Sequence, residues 1–114
     1  MMPGFAELQE LLGGFYDTRD WRRFQTPKDV AASLSIEAAE LQELFLWLEP
    51  DAQDRVLSER KCEVGDELAD IVINCLNLAH LGGIDLEQAV RSKLARLSEK
   101  YPAEEVHGRI VPHR

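Results

Sequence analysis

Apolar residues recur at helix spacing along nearly the whole of this 114-residue chain. From Phe5 to about Tyr16 they return every three or four residues, which is the spacing of one helix face. No stretch shows the strict alternation of apolar and polar residues that is typical of a strand. The pattern therefore predicts an all-α fold of the four-helix bundle type.

The second predicted helix has a clear start. Thr26 is a good N-cap, and Pro27 at the first helical position suits a helix because its ring fixes φ near the helical value. The apolar pattern then continues to about Leu48, and we expect the helix to stop near Pro50.

Two further helices follow a short acidic connection. The third is expected from about residue 58 to residue 81, where two glycines end it. Asp85 is the expected N-cap of the fourth, with Gln88 as its capping-box partner, and Pro102 follows the end of that helix. We therefore expect one domain over residues 1–102 and an irregular tail over residues 103–114.

Charge and hydropathy exclude several classes of function. The formal net charge is −8, which disfavours nucleic acids and anionic membranes as partners. No basic stretch precedes an apolar segment at the N-terminus, and no window reaches the length of a membrane span. Cys75 lies in an apolar run and is expected to be a reduced core residue. These observations favour a soluble, cytoplasmic protein.

Two short acid pairs, Glu37/Glu40 and Glu67/Asp70, interrupt the apolar faces of the second and third helices. Residues three apart on a helix are neighbours, with Cβ atoms about 5–6 Å apart. Carboxylates turned toward a helical core are costly unless a positive charge neutralises them. Mg²⁺ is the preferred ion for clustered oxygens, with Mn²⁺ as its substitute, and this predicts phosphate chemistry.

Other kinds of site fit the chain poorly. A di-iron bundle needs Glu-x-x-His on two helices, and the one such string ends at His107, beyond Pro102. No Gly-x-Ser-x-Gly elbow, no Cys with a plausible His partner and no Walker-type loop is present. Any phosphate must therefore be held by metal and side chains.

Three segments together resemble the MazG-type all-α nucleotide pyrophosphohydrolases, and most closely their small, single-domain, dCTP-pyrophosphatase-like branch. They are residues 35–47 (SIEAAELQELFLW), 66–74 (DELADIVIN) and 91–102 (RSKLARLSEKYP). The pattern is Glu-x-x-Glu, a spacer of 26 residues, and Glu-x-x-Asp. The resemblance covers roughly residues 15–102.

The resemblance implies Mg²⁺-dependent hydrolysis of a nucleoside triphosphate between its α and β phosphates, which would remove unwanted nucleotides from the cellular pool. It carries four metal ligands over to this chain, namely Glu37, Glu40, Glu67 and Asp70. A spare carboxylate, with Glu40 or Glu43 as the candidates, would take the proton of the attacking water.

Further residues would contact the substrate. Lys93 and Lys100 would meet the outer phosphates, with Tyr101 supporting that end of the pocket, although solvated lysines at a helix end are the alternative. Trp47 would border the nucleotide or pack in the core. Asn74 would contact a sugar or base edge, or would bond within the bundle.

The chain also differs from the pattern of the family it resembles at three positions. Gln25 stands where many relatives have His, Asp29 where Asn is usual, and Leu97 where the family has a polar Asn. In relatives these positions surround the base and sugar. The resemblance therefore implies the metal chemistry of this chain more directly than it implies the choice of substrate.

Two alternatives and one question of assembly stay open. A phosphoribosyl-ATP pyrophosphohydrolase of similar design is the nearest enzymatic alternative, and a non-catalytic helical interaction module is the alternative from another class. The second and third helices are apolar beyond the width that one neighbour covers, so we expect a homo-oligomer, either dimer or tetramer.

Overall fold

The computed structural model describes residues 4–110, and within that range every regular element is helical. The all-α prediction is confirmed. The α-helices are α1 Phe5–Asp17, α2 Pro27–Glu43, α3 Pro50–Glu59, α4 Lys61–Gly82, α5 Leu86–Lys100 and α6 Ala103–Val106, and a 3-10 turn spans Arg22–Phe24.

The predicted N-caps form, but the Gln88 side chain donates to the Ser92 hydroxyl at 3.2 Å rather than completing a capping box with Asp85. The Thr26 hydroxyl accepts a hydrogen bond from the Asp29 backbone N–H at 3.2 Å, with Pro27 at the start of α2. The Asp85 carboxylate accepts one from the Gln88 N–H at 3.0 Å and starts α5. Gly83 ends α4 in the left-handed conformation, with φ of 62°, which glycine adopts without steric cost.

The middle of the chain differs from the expectation. The second helix ends at Glu43 rather than near Leu48, and the acidic segment taken as a connection is helix α3. Pro50 begins α3 and Asp51 lies in its first turn, so this segment carries its own start signals. Arg60 has non-helical dihedral angles and separates α3 from α4, which therefore begins a few residues later than predicted.

The chain divides into two compact units, Met1–Gly83 and Ile84–Arg114. The second unit contains α5 and the short helix α6, which lies inside the tail that we expected to be irregular. Residues 111–114 of that tail lie outside the described residues. The assignment of residues 1–102 to one domain stays a prediction.

Helix α4 is the centre of the first unit. It packs mainly against α2 and also contacts α1 and α3. Among residues 4–83, the buried apolar side chains are those of Val30, Val56, Val64, Leu76 and Ala79. Helices α2 and α4 run in opposite directions, because Glu37 lies beside Glu67 and Asp70, whereas Ser33, one turn earlier, lies near Asn74, one turn later.

A second face of α4 is apolar and open. Between α1 and α4 lies a cavity of about 640 Å³, which we call the apolar groove. It is lined on α1 by Leu8, Leu11, Leu12, Phe15 and Tyr16, and on α4 by Gly65, Leu68, Ala69, Val72, Ile73 and Leu76. Leu11 is 64% exposed and Leu68 is 49% exposed, so this surface is not part of the core of a single chain.

Across residues 4–110, no helix combines the length and the apolar character that crossing a membrane requires.

Candidate metal centre

Three acids from two helices converge on one point. Glu37 on α2 and Glu67 and Asp70 on α4 each offer a carboxylate oxygen, and these oxygens all lie within 4.8 Å of one another. The two acids of α4 are three residues apart and so share one face, which α2 covers with Glu37. We call these three residues the acid cluster.

Part of the acid cluster is withdrawn from water. Glu37 and Glu67 are half-buried, and the Oε2 atom of each is buried without a hydrogen-bond partner among the described residues. Asp70 is exposed at the edge. Buried polar atoms normally have a partner, so two orphaned oxygens in one cluster of acids indicate that a positive group belongs at this site.

The carboxyl groups affect each other's protonation. Burial raises the pKa of Glu37 from 4.5 to about 7, and hydrogen bonds with Glu40 and Glu67 and the negative charges of Glu40 and Asp70 add to the shift. Burial also raises the pKa of Glu67, against a lowering by its hydrogen bond with Glu37. Without a cation, this site therefore retains a proton well above the usual range of a glutamic acid.

Basic side chains do not supply the missing charge. Each ion pair between described residues lies elsewhere, with Arg22 on Asp17, Arg23 on Asp20, Arg60 on Glu63 and Arg91 on Glu87. Glu63, one turn before Glu67, is held by two hydrogen bonds from Arg60, at 2.9 and 2.6 Å. The acid cluster differs from Glu63 because no basic side chain of residues 4–110 forms an ion pair with it.

Two more acids of α2 were predicted to act here. Glu40 is exposed and is not one of the three acids of the cluster, but its carboxyl lies close enough to raise the pKa of both Glu37 and Glu67. Glu43 is the last residue of α2 and is exposed. The roles of both stay predictions.

The donor set suits a hard divalent cation. Its atoms are all carboxylate oxygens, which Mg²⁺ and Mn²⁺ prefer, and two of the three residues, Glu37 and Glu67, each have a buried oxygen that lacks a hydrogen-bond partner among the described residues. Glu37, Glu67 and Asp70, with Glu40 beside them, would hold it.

A small polar pocket of about 140 Å³ lies one helical turn from the acid cluster. Ser33 precedes Glu37 by one turn on α2, and Asn74 follows Asp70 by one turn on α4. The polar pocket is lined by Tyr16, Gln25, Asp29, Val30, Ser33 and Asn74.

Sequence reasoning named part of this pocket. Asn74 was a predicted substrate contact, and Gln25 and Asp29 were noted as departures near the base and sugar. Ser33 and Tyr16 were missed. Ser33 could have been found, because it shares the α2 face of Glu37 at a spacing of four residues, whereas no periodicity singles out Tyr16.

The remaining predicted residues lie on other elements. Trp47, in the turn after α2, is 92% exposed and has φ of 67°, a conformation that is uncommon for a bulky residue. Lys93 lies on α5, Lys100 ends it and Tyr101 caps it, all within the second unit. The Lys100 ammonium lies 5.3 Å from the centre of the Tyr101 ring.

Comparison with known proteins agrees with this geometry. The MazG-like family model matches residues 32–110. The chain is 35% identical to mouse dCTP pyrophosphatase 1 over 103 residues and 34% identical to the rat protein of the same name. Each match covers 88% of this chain, and the chain spans 60% of the length of these relatives.

A solved structure matches more completely. The crystal structure of a pyrophosphatase from Archaeoglobus fulgidus is 40% identical and superimposes with a TM-score of 0.83. The match covers 90% of this chain and 95% of that one. At this identity the likeness extends to sequence as well as to fold.

Proposed function

The chain belongs to the MazG-like family, and on that premise we propose that it is a metal-dependent nucleotide pyrophosphohydrolase. It would cleave a nucleoside triphosphate between the α and β phosphates and release a nucleoside monophosphate and pyrophosphate. The observation that carries the proposal is the pair of buried, orphaned oxygens of Glu37 and Glu67 in a cluster that no basic side chain of residues 4–110 neutralises.

Glu37, Glu67 and Asp70, with Glu40 at their edge, would hold the cation. When bound, Mg²⁺ supplies positive charge for the phosphate oxygens and lowers the pKa of a coordinated water. The protein's part is to fix the carboxylates on two packed helices, so that their positions do not need to change during the reaction.

A carboxylate beside the cluster would act as general base. Water attacks either the α or the β phosphorus, and the proton of the water passes to the base. The bond from the attacked phosphorus to the α–β bridging oxygen breaks, and this oxygen leaves with the other phosphorus. Glu40 is supported by its proximity to the cluster, where it raises the pKa of both Glu37 and Glu67. Glu43 lies one turn further along α2 and is the alternative.

The polar pocket, with a volume of about 140 Å³, would receive one polar edge of the nucleoside. The Asp29 carboxylate in its wall repels phosphate and accepts hydrogen bonds from hydroxyl or amino groups. Asn74 donates to the Asp70 carbonyl at 3.0 Å, which leaves its side-chain oxygen for a ligand. Phosphates at the acid cluster and a nucleoside one turn away match the layout of one nucleotide.

The other predicted contacts complete the proposal. Lys93 and Lys100 would meet the outer phosphates, with Tyr101 beside them, because the negative charge of a triphosphate needs cations beyond the metal. Trp47 would border the nucleotide, since an exposed indole in an unfavourable backbone conformation favours a role in contact rather than in folding.

A second copy of the chain would cover the apolar groove. Its lining is almost entirely apolar and includes several exposed leucines, and a contiguous apolar surface of this kind marks a contact with another protein. We therefore expect a homo-oligomer in solution, either dimer or tetramer.

One assay tests the activity. The purified protein is incubated with Mg²⁺ and a panel of nucleoside triphosphates, beginning with dCTP because two relatives are named for it, and including phosphoribosyl-ATP. We expect monophosphate and pyrophosphate in equal amounts. Release of orthophosphate, or no turnover with any of these nucleotides, would contradict the proposal, and absent Mg²⁺ and Mn²⁺ binding by calorimetry would favour a non-catalytic module.

A further inference from the structure

One hydrogen bond joins the end of α1 to the middle of α4. The side-chain amide nitrogen of Asn77 donates to the Tyr16 hydroxyl oxygen at 3.0 Å. Asn77 is 2% exposed and is the most buried polar residue of the described chain. A buried amide on a packed helix has little freedom, so this bond fixes the position of the Tyr16 hydroxyl.

The bond also determines where the hydroxyl proton can go. A phenol hydroxyl has one proton to donate, and it accepts through its oxygen lone pairs. Asn77 occupies a lone pair, and no acceptor within residues 4–110 receives the proton. Because Tyr16 lines the polar pocket, the proton is available to a molecule bound there.

The pocket contains other groups that lack partners. The side chains of Gln25, Asp29 and Ser33 make no hydrogen bond to the described part of the protein. A concave surface with several unpaired donors and acceptors is typical of a site that binds a polar, uncharged group. The pocket lies about one helical turn, roughly 5.4 Å along the helix axes, from the acid cluster, which is within the reach of a single nucleotide.

We propose that Tyr16 is a specificity-determining residue, which donates a hydrogen bond to an acceptor atom of the nucleoside, and that Asn77 is its positioning residue. This inference rests on the proposed function, because it assumes that the phosphates bind at the acid cluster. The acceptor is an oxygen or ring nitrogen of the base or an oxygen of the sugar.

The Tyr16→Phe variant tests the inference directly, because it keeps the ring and removes only the hydroxyl. A neutral hydrogen bond contributes about 0.5–1.5 kcal/mol, so KM for the preferred nucleotide should rise about two- to twelvefold. The bond is made equally in the ground and transition states, so kcat should change less than about twofold. If the rise differs between bases the acceptor is on the base, and if it is uniform the acceptor is on the sugar.

Gln9→Leu is the matched control. Gln9 donates to the Leu76 carbonyl at 2.8 Å and is another polar link between α1 and α4, but it does not line the polar pocket. Its loss should lower the melting temperature and leave KM unchanged. If Tyr16→Phe lowers the melting temperature in the same way with KM unchanged, the hydroxyl is only structural and the inference is wrong.

The double variant Tyr16→Phe/Asn77→Leu separates recognition from stability. It removes both partners, so that no buried donor is left orphaned, and it should regain stability relative to Tyr16→Phe. Its KM should stay as high as that of Tyr16→Phe, whereas a return to the wild-type KM would contradict the inference.

A further measurement distinguishes failure of the proposed function from failure of the inference about Tyr16. If the wild-type protein turns over no nucleotide, calorimetric titration with nucleoside monophosphates still examines the pocket. Weaker binding to Tyr16→Phe than to the wild type supports the inference, and equal binding, or none to the wild type, overturns it.

Discussion

Helix α4 presents two faces that are incomplete in different ways. Toward α2 it carries Glu67 and Asp70, whose charge no basic side chain among the described residues balances. Toward α1 it carries Leu68 and Val72, which line the apolar groove and are 49% and 37% exposed. The first face lacks positive charge, and the second lacks an apolar partner.

The comparison shows how one helix can serve two kinds of partner. Neighbouring positions such as Glu67 and Leu68 point about 100° apart, so acids and leucines alternate in sequence without meeting in space. A cation would complete one face and a second copy of the chain the other. The predictions below separate the two faces.

The largest expected effect comes from the acid face. Glu67→Gln keeps the shape of the side chain and removes the charge that would bind a cation. We expect turnover to fall at least about a hundredfold, because metal-dependent charge stabilisation is lost. The helical fold should survive, since the substitution relieves repulsion between carboxylates. Steady-state assays and circular dichroism measure the two outcomes.

The exposed acid Glu59, at the end of α3, provides the control. Glu59→Gln makes the same chemical change outside the acid cluster and should keep wild-type turnover. Full activity of the Glu67→Gln variant would show that Glu67 is not a metal ligand.

The next effect concerns the apolar face. Leu11 lies in the groove on α1, and Leu11→Glu would place a charge in the expected contact between copies. Burying an unpaired charge is strongly unfavourable, so the dissociation constant of the oligomer should rise at least about a hundredfold. Light scattering after size exclusion would show the lower mass, while calorimetry should show that the variant still binds Mg²⁺.

Leu57→Glu is the comparison variant, since Leu57 is 52% exposed on α3 and lies outside the groove. It should leave the mass unchanged. A wild-type protein that is monomeric at micromolar concentration would contradict the expected homo-oligomer.

The two faces were predictable from the sequence to different extents. Spacing of three residues within α4 places Glu67 and Asp70 on one face whatever the fold, and the equivalent position of Glu37 on α2 made a shared site the simplest solution. The caps at Thr26 and Asp85 depend on local chemistry alone and were also predictable.

The predictions that were wrong or incomplete concern places where two local signals compete or where the contacting residues are distant in sequence. The apolar pattern beyond Glu43 suggested a longer α2, but the start signal at Pro50 formed a separate helix. The bond between Tyr16 and Asn77 joins residues 61 positions apart. Periodicity assigns each residue to a face but does not identify the facing residue on another helix, so the polar pocket was only partly foreseen.

The smallest expected effect is the pH dependence of stability, which compares the acid face with and without a cation. The pKa of Glu37 is raised from 4.5 to about 7 in the folded chain. Between these values the folded state binds more protons than the unfolded state, so the stability of the metal-free protein should fall as pH rises from about 5 to 8. Thermal unfolding in the presence of a chelator measures this trend.

Magnesium should reverse that dependence. A cation binds the ionised carboxylates, so its stabilisation should grow with pH over the same range, reaching about 2.7 kcal/mol at one hundred times the dissociation constant. Glu37→Gln removes the shifted group and should flatten the trend of the metal-free protein, whereas Leu11→Glu should retain it, since the apolar groove carries no part of the shift. A metal-free protein whose stability rises steadily from pH 5 to pH 8 would show that the acids of α2 and α4 are compensated within the protein itself.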